Sequence, residues 1–338
     1  NSVCPKSAFA VRTYFHSQKV LNMKTRIIYF IAAQLKQEKP NGSKKAVAID
    51  IKKKAPDYEE YFPRYSVLKT GDEDSFNFVV KKFEKNIVVE ISKNLEGMSA
   101  DKLIEAKEEI ISVKDRFLKG FDVHSFMEDC TVYCFSGHDN PDELAKKRKY
   151  FIFKLLKSQK EPVPDKIADF DKYALQYSKD DMIFVDWDNA VIFDKDGDFE
   201  DDISILELAN IRLLNLRIIE RSLNDVANPQ TLKKANFFSM RRLMREIYSK
   251  RMEMVSSYEA IENSLPLFGD WYTAKLYNRM CEVLHVKDWS DRINEKLDNL
   301  EDVYELLNNR TTNGYMIILE ASIVALIILE IVINFVIK

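Results

Sequence analysis

Four side chains of the types that bind zinc occur close together in the chain: His124, Cys130, Cys134 and His138. Their spacing argues against a shared metal ion. If residues 131–135 form a strand, Cys130 and Cys134 lie on one face of it, but their backbones are about 13 Å apart. Zinc requires its ligand atoms within about 2.0–2.3 Å. We therefore predict buried strand cysteines, no metal site and no cofactor.

The acidic loop Asp194-Lys195-Asp196-Gly197-Asp198 resembles the beginning of a calcium-binding loop. A helix–loop–helix calcium site requires glycine at its sixth position and glutamate at its twelfth. Phe199 and Ile205 occupy those positions here. We therefore predict an acidic turn between a strand and a helix, with Asp201 and Asp202 near the helix N-terminus, where negative charge is stabilising.

Sequence motifs for catalysis are missing. The chain contains no GxxxxGK[ST] phosphate loop, no GxGxxG dinucleotide motif, no HExxH metal motif and no nucleophile elbow. Glycine-rich catalytic loops are also scarce, because the whole chain has only 8 glycines. We therefore predict no catalytic residues and a non-enzymatic protein, and the sequence identifies no small-molecule substrate.

The strongest basic cluster with interleaved aromatic residues is segment 146–154, which reads KKRKYFIFK. Its first four residues, Lys146, Lys147, Arg148 and Lys149, are candidates for contacts to RNA, a ribosome or anionic lipid. The alternative is a solvated junction between a helix and a strand. The net charge of −3 provides no global attraction to nucleic acid, so any basic binding surface must be local.

The most apolar part of the chain is segment 315–337, which reads YMIILEASIVALIILEIVINFVI. About 20 apolar residues in a helix span a bilayer core of about 30 Å. A helix in a soluble domain would carry a polar stripe, whereas this segment is apolar on nearly all faces. We therefore predict one transmembrane helix over residues 315–338, which anchors the protein by its C-terminal end and makes the lipid bilayer a partner.

Two acids, Glu320 and Glu330, interrupt this apolar segment. Acids inside a membrane normally face protein or water instead of lipid, and small neighbours such as Ala321, Ser322 and Ala325 let helices approach closely. These five residues are predicted to form a helix–helix interface in a homo-oligomer. Two alternatives remain open. Each acid reaches the headgroups near a membrane edge or is protonated, or the two acids line an ion path.

These residues are positioned by an expected α+β fold. It has an N-terminal mixed α/β domain over residues 23–200, then a helical bundle or stalk over residues 202–310, then the transmembrane helix. Strands are expected at 26–31, 46–51, 86–91, 131–135, 173–177, 182–186 and 190–193, where β-branched and aromatic residues are frequent. Helices are expected at 100–117, 202–226, 231–264, 271–286 and 288–309.

Apolar residues recur at heptad spacing in the last of these helices, which is typical of a coiled-coil seam. The residues concerned are Val286, Ile293, Leu297, Leu300, Tyr304 and Leu307. The seam is either one face of an intramolecular bundle or an intermolecular coiled coil. Gly314 is the expected joint to the membrane segment. A continuous helix is compatible with this joint, because one glycine costs a helix only about 1 kcal/mol.

Residues 1–22 contain basic residues but no acidic ones. This composition fits a mitochondrial presequence, and it equally fits a non-native extension ahead of Met23, so both interpretations remain open. The four cysteines do not form a disulfide framework. Cysteine usage of this kind is typical of a reducing compartment.

A series of motifs in the C-terminal half resembles a known family. The motifs are Leu206-Glu207-Leu208-Ala209-Asn210 with Leu213, Leu214 and Glu220, then Pro266-Leu267-Phe268 with Trp271, Leu276-Tyr277, Leu284-His285-Val286, Leu319-Glu320 and the run 326–331. In this order they resemble the YagE-like, required-for-meiotic-nuclear-division family over residues 202–338. The resemblance implies a membrane-anchored, homo-oligomeric, non-catalytic protein. It also implies that Trp271 and Tyr277 are packing anchors and that Glu320 and Glu330 belong to the anchor.

Together these features predict a membrane-anchored, oligomeric scaffold that supports a membrane-associated process such as translation. The alternatives are a module that binds RNA or ribosomes at a membrane through residues 146–154, and a minimal ion-conducting oligomer that uses Glu320 and Glu330. The resemblance implies the mitochondrial inner membrane for a eukaryotic protein. For a bacterial protein it implies the inner membrane with a cytoplasmic body.

Overall fold

The computed structural model describes residues 23–36, 47–48, 64–138, 140–159, 170–226, 242, 244–252 and 271–336. The predicted leader at 1–22 lies outside these ranges, as do most of the strand predicted at 46–51 and most of the helix predicted at 231–264. The chain divides into two compact units. Unit 1 comprises residues 1–217 and 257–287, and unit 2 comprises residues 218–256 and 288–338.

Unit 1 is built on a sheet in which the described residues supply nine strands. They are β1 (Lys24–Leu35), β2 (Val47–Ala48), β3 (Arg64–Glu73), β4 (Phe76–Phe83), β5 (Asn86–Glu96), β6 (Val123–Ser136), β7 (Ala174–Leu175), β8 (Asp181–Val185) and β9 (Asn189–Asp194). Their order is β2-β3-β4-β5-β1-β6-β9-β8-β7. Neighbouring strands are antiparallel except for β6 and β9, which are parallel.

Helices cover both faces of this sheet. On one face, α1 (Ala100–Leu118), α2 (Pro141–Lys147) and α3 (Lys149–Leu156) pack against Ile27, Tyr29 and Ile31 of β1 and their neighbours. On the other face lies α4 (Glu200–Val226), which contacts β4, β1 and β6 through Glu207, Asn215 and Arg217. Because β1 lies between two helical layers, every residue from Ile27 to Ala33 is buried, which explains why its sequence is continuously apolar.

Local sequence signals set the element boundaries. Ser99 caps α1 by accepting from Lys102 N, and Asn140 caps α2 ahead of Pro141 at the first turn. Asp74 and Ser75 adopt positive φ between β3 and β4. A two-residue hairpin loop needs this conformation to match the twist of its two strands. Each signal acts within a few residues, so these boundaries depend little on the rest of the fold.

Unit 2 consists of helical segments in the described residues. They are the end of α4 from Ile218, residues 244–252, and nearly all of α6 (Val286–Val336). Before α6, the helix α5 (Trp271–Val283) belongs to unit 1, where Tyr272 and His285 contact Tyr177 and Trp187 on either side of β8. The predicted domain division at residue 200 precedes α4, whereas the compact units divide within α4.

The predicted α+β class is confirmed, with a sheet domain followed by helices and one apolar C-terminal helix. Two strands were missed, β3 and β4, because charged residues interrupt their apolar pattern. The helix-to-strand junction considered as the alternative for residues 146–154 is wrong, since this segment is the α2–α3 pair. The two helices predicted at 288–309 and 315–338 are one, and α6 continues through Gly314 without interruption.

Candidate functional site

The apolar end of α6 is the most exposed apolar surface among the described residues. Its window Met316–Ile333 is long and apolar enough to cross a membrane, with mean hydropathy 2.7 and none of it buried. Its large side chains are 45–66 % exposed. Soluble proteins rarely expose a contiguous apolar surface of this kind. This window is the single candidate membrane span in the part of the chain that the structure describes.

Glu320 and Glu330 make the insertion of this window finely balanced. Twelve of its 18 residues are Ile, Leu or Val, and together they favour insertion by about 4–7 kcal/mol. Each ionised glutamate opposes insertion by about 2.5–3.5 kcal/mol. Neither carboxylate has a hydrogen-bond or ion-pair partner among the described residues. Any group that neutralises a glutamate therefore favours insertion strongly.

The five residues of the predicted helix–helix interface divide between two sides of α6. Each residue of a helix turns the chain by about 100°. Glu330 therefore lies about 80° from Glu320, whereas Ala321, Ala325 and Ser322 lie about 100°, 140° and 160° from it. Ser322 also donates its hydroxyl to Ile318 O at 2.8 Å within its own helix. The acids and the small residues therefore face different directions, and the five-residue interface stays a prediction.

The small residues instead continue the buried side of α6. Ile293, Leu297 and Leu300 are buried in unit 2, and on a regular helix they lie about 140–180° from Glu320. Ion pairs within unit 2 flank them: Lys296 Nζ lies 2.5 Å from Glu220, and Arg251 lies 2.6 Å from Asp298. These contacts are intramolecular and favour the bundle interpretation of the heptad seam. The side chains of Tyr304 and Leu307 lie outside the described residues.

Tyr277 is a packing residue of unit 1. It is 1 % exposed, and its hydroxyl accepts a hydrogen bond from Arg212 at 3.1 Å, which joins α5 to α4. Burial raises the pKa of Tyr277, with smaller contributions from Cys281 and an opposing one from Arg212. Trp271 begins α5, but its side chain lies outside the described residues.

The predicted basic cluster is only partly available at the surface. Lys146 and Lys147 are exposed, and Lys147 pairs with Glu143 at 2.7 Å. Arg148 and Lys149 are half-buried, and Lys149 lies over the ring of Phe170, 5.1 Å from its centroid. Of the aromatic residues between the basic ones, Phe151 belongs to the core of unit 1 and Phe153 packs against that core. The cluster therefore offers two exposed lysines and no exposed aromatic platform for stacking bases.

A buried charged cluster, which no sequence signal revealed, joins α4 to the sheet. Lys81 of β4 forms ion pairs with Glu90 of β5 and with Glu207 of α4, whose carboxylate oxygens lie 3.0 and 3.1 Å from Lys81 Nζ. All three side chains are at most 8 % exposed. Burial raises the pKa of Glu207, while Lys81 opposes this shift. With two carboxyls and one ammonium removed from water, the cluster joins β4 and β5 to α4.

A second polar cluster lies on the other face of the sheet. Lys107 of α1 donates to Asn189 Oδ1 at 2.7 Å and to Ser158 Oγ at 2.8 Å, and Asn189 Nδ2 donates to Leu156 O at 2.7 Å. Nearby, Tyr29 donates its hydroxyl to Asp129 at 2.5 Å. Burial lowers the pKa of Lys107. These hydrogen bonds connect α1, α3, β1, β6 and β9. The polar atoms of this cluster therefore bond to one another and hold these elements together.

The residues considered for metal binding lie in β6 or two residues after it. Cys130 and Cys134 are buried in β6, where burial raises the pKa of both thiols. The described residues contain no group of three or more His, Cys, Asp or Glu side chains that could hold a metal ion. In the acidic loop, Asp194 Oδ1 accepts from the backbone of Gly197 at 2.6 Å and of Asp198 at 2.9 Å. The carboxylate therefore closes a turn between β9 and α4.

Fold and surface together define an α+β protein with a candidate membrane helix. The chain belongs to the family of "Uncharacterized protein MJ0711" of Methanocaldococcus jannaschii, with which it is 38 % identical over 279 residues, or 81 % of this chain and 87 % of the relative. The family model of the N-terminal domain of MJ0711 matches residues 64–200, which include β3 to β9. No solved structure matches the chain significantly.

The predicted resemblance to the YagE-like, required-for-meiotic-nuclear-division family is wrong. The relationship to MJ0711 extends over most of the chain, whereas the motifs that carried the resemblance are short apolar and aromatic patterns. Such patterns recur wherever helices pack or enter membranes. The inner membrane as the location and the support of mitochondrial translation were implied by that resemblance alone, so they lose their basis.

Proposed function

We propose that this protein is a non-enzymatic, membrane-anchored scaffold that self-associates through its membrane helix. The observation that carries the proposal is the continuity of α6. One helix, Val286–Val336, contains both the residues buried in unit 2 and the exposed apolar window Met316–Ile333. A helix fixed by packing at one end and apolar at the other can anchor a folded body to a bilayer.

A scaffold is favoured over an enzyme by how the polar side chains are used. The Lys81–Glu90–Glu207 cluster is buried between the sheet and α4, and the Lys107 amine is bonded to Asn189 and Ser158. Catalytic groups with shifted pKa values normally lie in a cleft, where they can reach a substrate. Here both clusters stabilise contacts between secondary-structure elements, which is a structural role.

Self-association is assigned to the side of α6 that bears Ala321, Ser322 and Ala325. Small side chains let helices approach closely in a membrane, where packing drives association. We expect the double variant Ala321→Leu/Ala325→Leu to lose most of its oligomers, because the added side chains separate the helix backbones. Native mass spectrometry of the full chain in mild detergent measures this.

The matched control for this experiment is Ile323→Leu/Ile327→Leu, which keeps the volume of large residues on the other side of the helix. It should assemble like the natural chain. Full assembly of the Ala321→Leu/Ala325→Leu variant, or a monomeric natural chain at micromolar concentration, would contradict self-association through this side.

The second candidate function is contact with an anionic partner through Lys146 and Lys147, which are the exposed part of the basic cluster. If both lysines contact phosphates, binding to anionic vesicles or RNA should weaken as salt rises. Neutralising both with Lys146→Gln/Lys147→Gln should then reduce the slope of log affinity against log salt by about 1–2. Flotation with anionic vesicles and filter binding with RNA are the two measurements.

The control for the salt experiment is Lys24→Gln/Lys36→Gln, which removes two charges elsewhere in unit 1. It should leave the slope nearly unchanged. Equal slopes for the natural chain and both variants would show that Lys146 and Lys147 are merely solvated.

A further inference from the structure

The Glu320 side of α6 is an exposed surface that its own unit leaves uncovered. Glu320 lies in the window Met316–Ile333, none of which is buried. It lies on the side of the helix opposite Ile293, Leu297 and Leu300, which are the residues buried within unit 2. A carboxylate on this side therefore enters the apolar layer with no described group of its own chain to neutralise it.

The neighbours of Glu320 limit what can cover it. On a helix, the residues adjoining it on the same side are Met316, Ile323, Val324 and Ile327, and each of them is at least 49 % exposed. These large side chains keep another backbone at a distance, so the close contact made by small residues is unavailable here. A long side chain that reaches across to the carboxylate is compatible with this spacing.

The charge of Glu320 determines which kind of partner side chain can pair with it. A carboxylate in a membrane is stabilised by pairing with a basic group. A second copy of this chain cannot supply one, because Glu320 and Glu330 are the only ionisable residues between Met316 and Ile333. A parallel copy would place glutamate beside glutamate at the same depth, where like charges repel.

We propose that the Glu320 side of α6 docks a membrane helix of a different protein that carries a lysine or arginine at the depth of Glu320. This proposal rests on the membrane-anchored function, since it requires α6 to be inserted. It adds a second interaction to the helix: small residues on one side for copies of this chain, and a carboxylate on another side for a basic partner. Glu320 lies about 6 Å along the helix from Met316, which sets the depth of the partner's basic group.

A reconstitution experiment tests the proposal. The full chain, labelled with a donor dye, is inserted into neutral phosphatidylcholine vesicles, and flotation establishes that it is inserted. The probe is an oligo-leucine transmembrane helix labelled with an acceptor dye and held in parallel orientation by a soluble domain at its N-terminal end. Three versions carry lysine, leucine or glutamate at the depth of Glu320. Energy transfer at increasing probe density measures association.

We expect the lysine probe to associate about fivefold to thirtyfold more strongly than the leucine probe, and the glutamate probe to associate no better than leucine. Glu320→Gln should reduce the association of the lysine probe to that of the leucine probe. The matched variant Glu330→Gln, which changes the same group about 80° away and two to three turns further along the helix, should retain the preference for lysine.

Three results would overturn the proposal. One is equal association of the lysine and leucine probes with the natural chain. Another is an unchanged preference for lysine in Glu320→Gln. The third is a loss of self-association, instead of probe binding, in Glu320→Gln, which would identify a second copy as the occupant. Failure of the full chain to float with vesicles would instead contradict membrane anchoring itself, so the two failures are distinguishable.

Discussion

Replacing Lys81 with methionine is expected to destabilise unit 1 by about 3–5 kcal/mol, which is the usual cost of removing one partner from a buried ion cluster. Lys81 contacts both Glu90 and Glu207, and all three side chains are at most 8 % exposed. Without the ammonium group, two carboxylates face each other away from water. A loss of this size approaches the whole stability of many domains. Hydrogen exchange of the β4 and β5 amides in the full chain in detergent would measure it.

A triple replacement separates the charge effect from a loss of volume. Lys81→Met/Glu90→Leu/Glu207→Leu removes the whole cluster and leaves apolar side chains of similar size. Such replacements are often neutral or stabilising, so exchange protection should return to about the natural level. An equal loss of exchange protection in the single and the triple variant would mean that packing, and not charge, makes Lys81 important.

The pH dependence of the same variants gives an independent readout. Burial raises the pKa of Glu207 above its ordinary value, and Lys81 opposes the shift. A carboxyl with a raised pKa binds its proton more tightly in the folded state, so folding stability falls as pH rises from its ordinary pKa of about 4.5 to the raised value. Lys81→Met should extend this loss to higher pH and regain stability on acidification. Glu207→Gln should remove most of the slope.

Deleting residues 316–336 is expected to move the protein almost completely from the membrane to the soluble fraction. Every other described helix lacks a window apolar enough to span a bilayer, and the deleted window supplies about 4–7 kcal/mol of favourable apolar transfer. Carbonate-washed membranes from cells expressing each form, separated by centrifugation, would give the partition directly. Truncated protein that stays in the washed pellet would contradict anchoring by α6.

A matched control for the deletion replaces Met316–Ile333 with 18 leucines. This variant keeps the length and apolar character of the window but removes Glu320, Glu330 and the small residues. It should remain in the membrane fraction and should lose self-association and the preference for a basic probe. The control therefore distinguishes the anchor, which needs only apolar length, from the interactions, which need particular side chains.

The elements that could be predicted are those whose local sequence pattern reflects which of their faces are buried. The run Ile27–Ala33 is buried on both faces and reads as a continuous apolar strand, and the apolar spacing of α1 reads as a helix. β4 was missed because its sequence FNFVVKKF places Lys81 in the interior. Only the carboxylates of Glu90 on the neighbouring strand and of Glu207, 126 residues away, make a buried lysine there acceptable.

The candidate site was predictable to a similar extent and for the same reason. Hydropathy identified the candidate membrane segment and its two acids, because length and composition are local properties. The direction of each side chain around α6 requires knowing that the helix is unbroken through Gly314, which composition does not determine. The error in segment 146–154 has a related origin. Phe151 and Ile152 are compatible with a strand by type, and only their burial against α1 and the sheet makes them helical core residues.

The unbroken course of α6 also constrains how the length of the chain can vary. Since each residue turns a helix by about 100°, inserting one residue near Gly314 would rotate the whole apolar window by that angle relative to Ile293 and Leu297. Inserting seven residues would change the direction by only about 20°. In relatives that share this helix, insertions and deletions between the buried part and the apolar window should therefore come in lengths close to whole numbers of turns. Such lengths keep the apolar window in the same rotational position relative to the buried part.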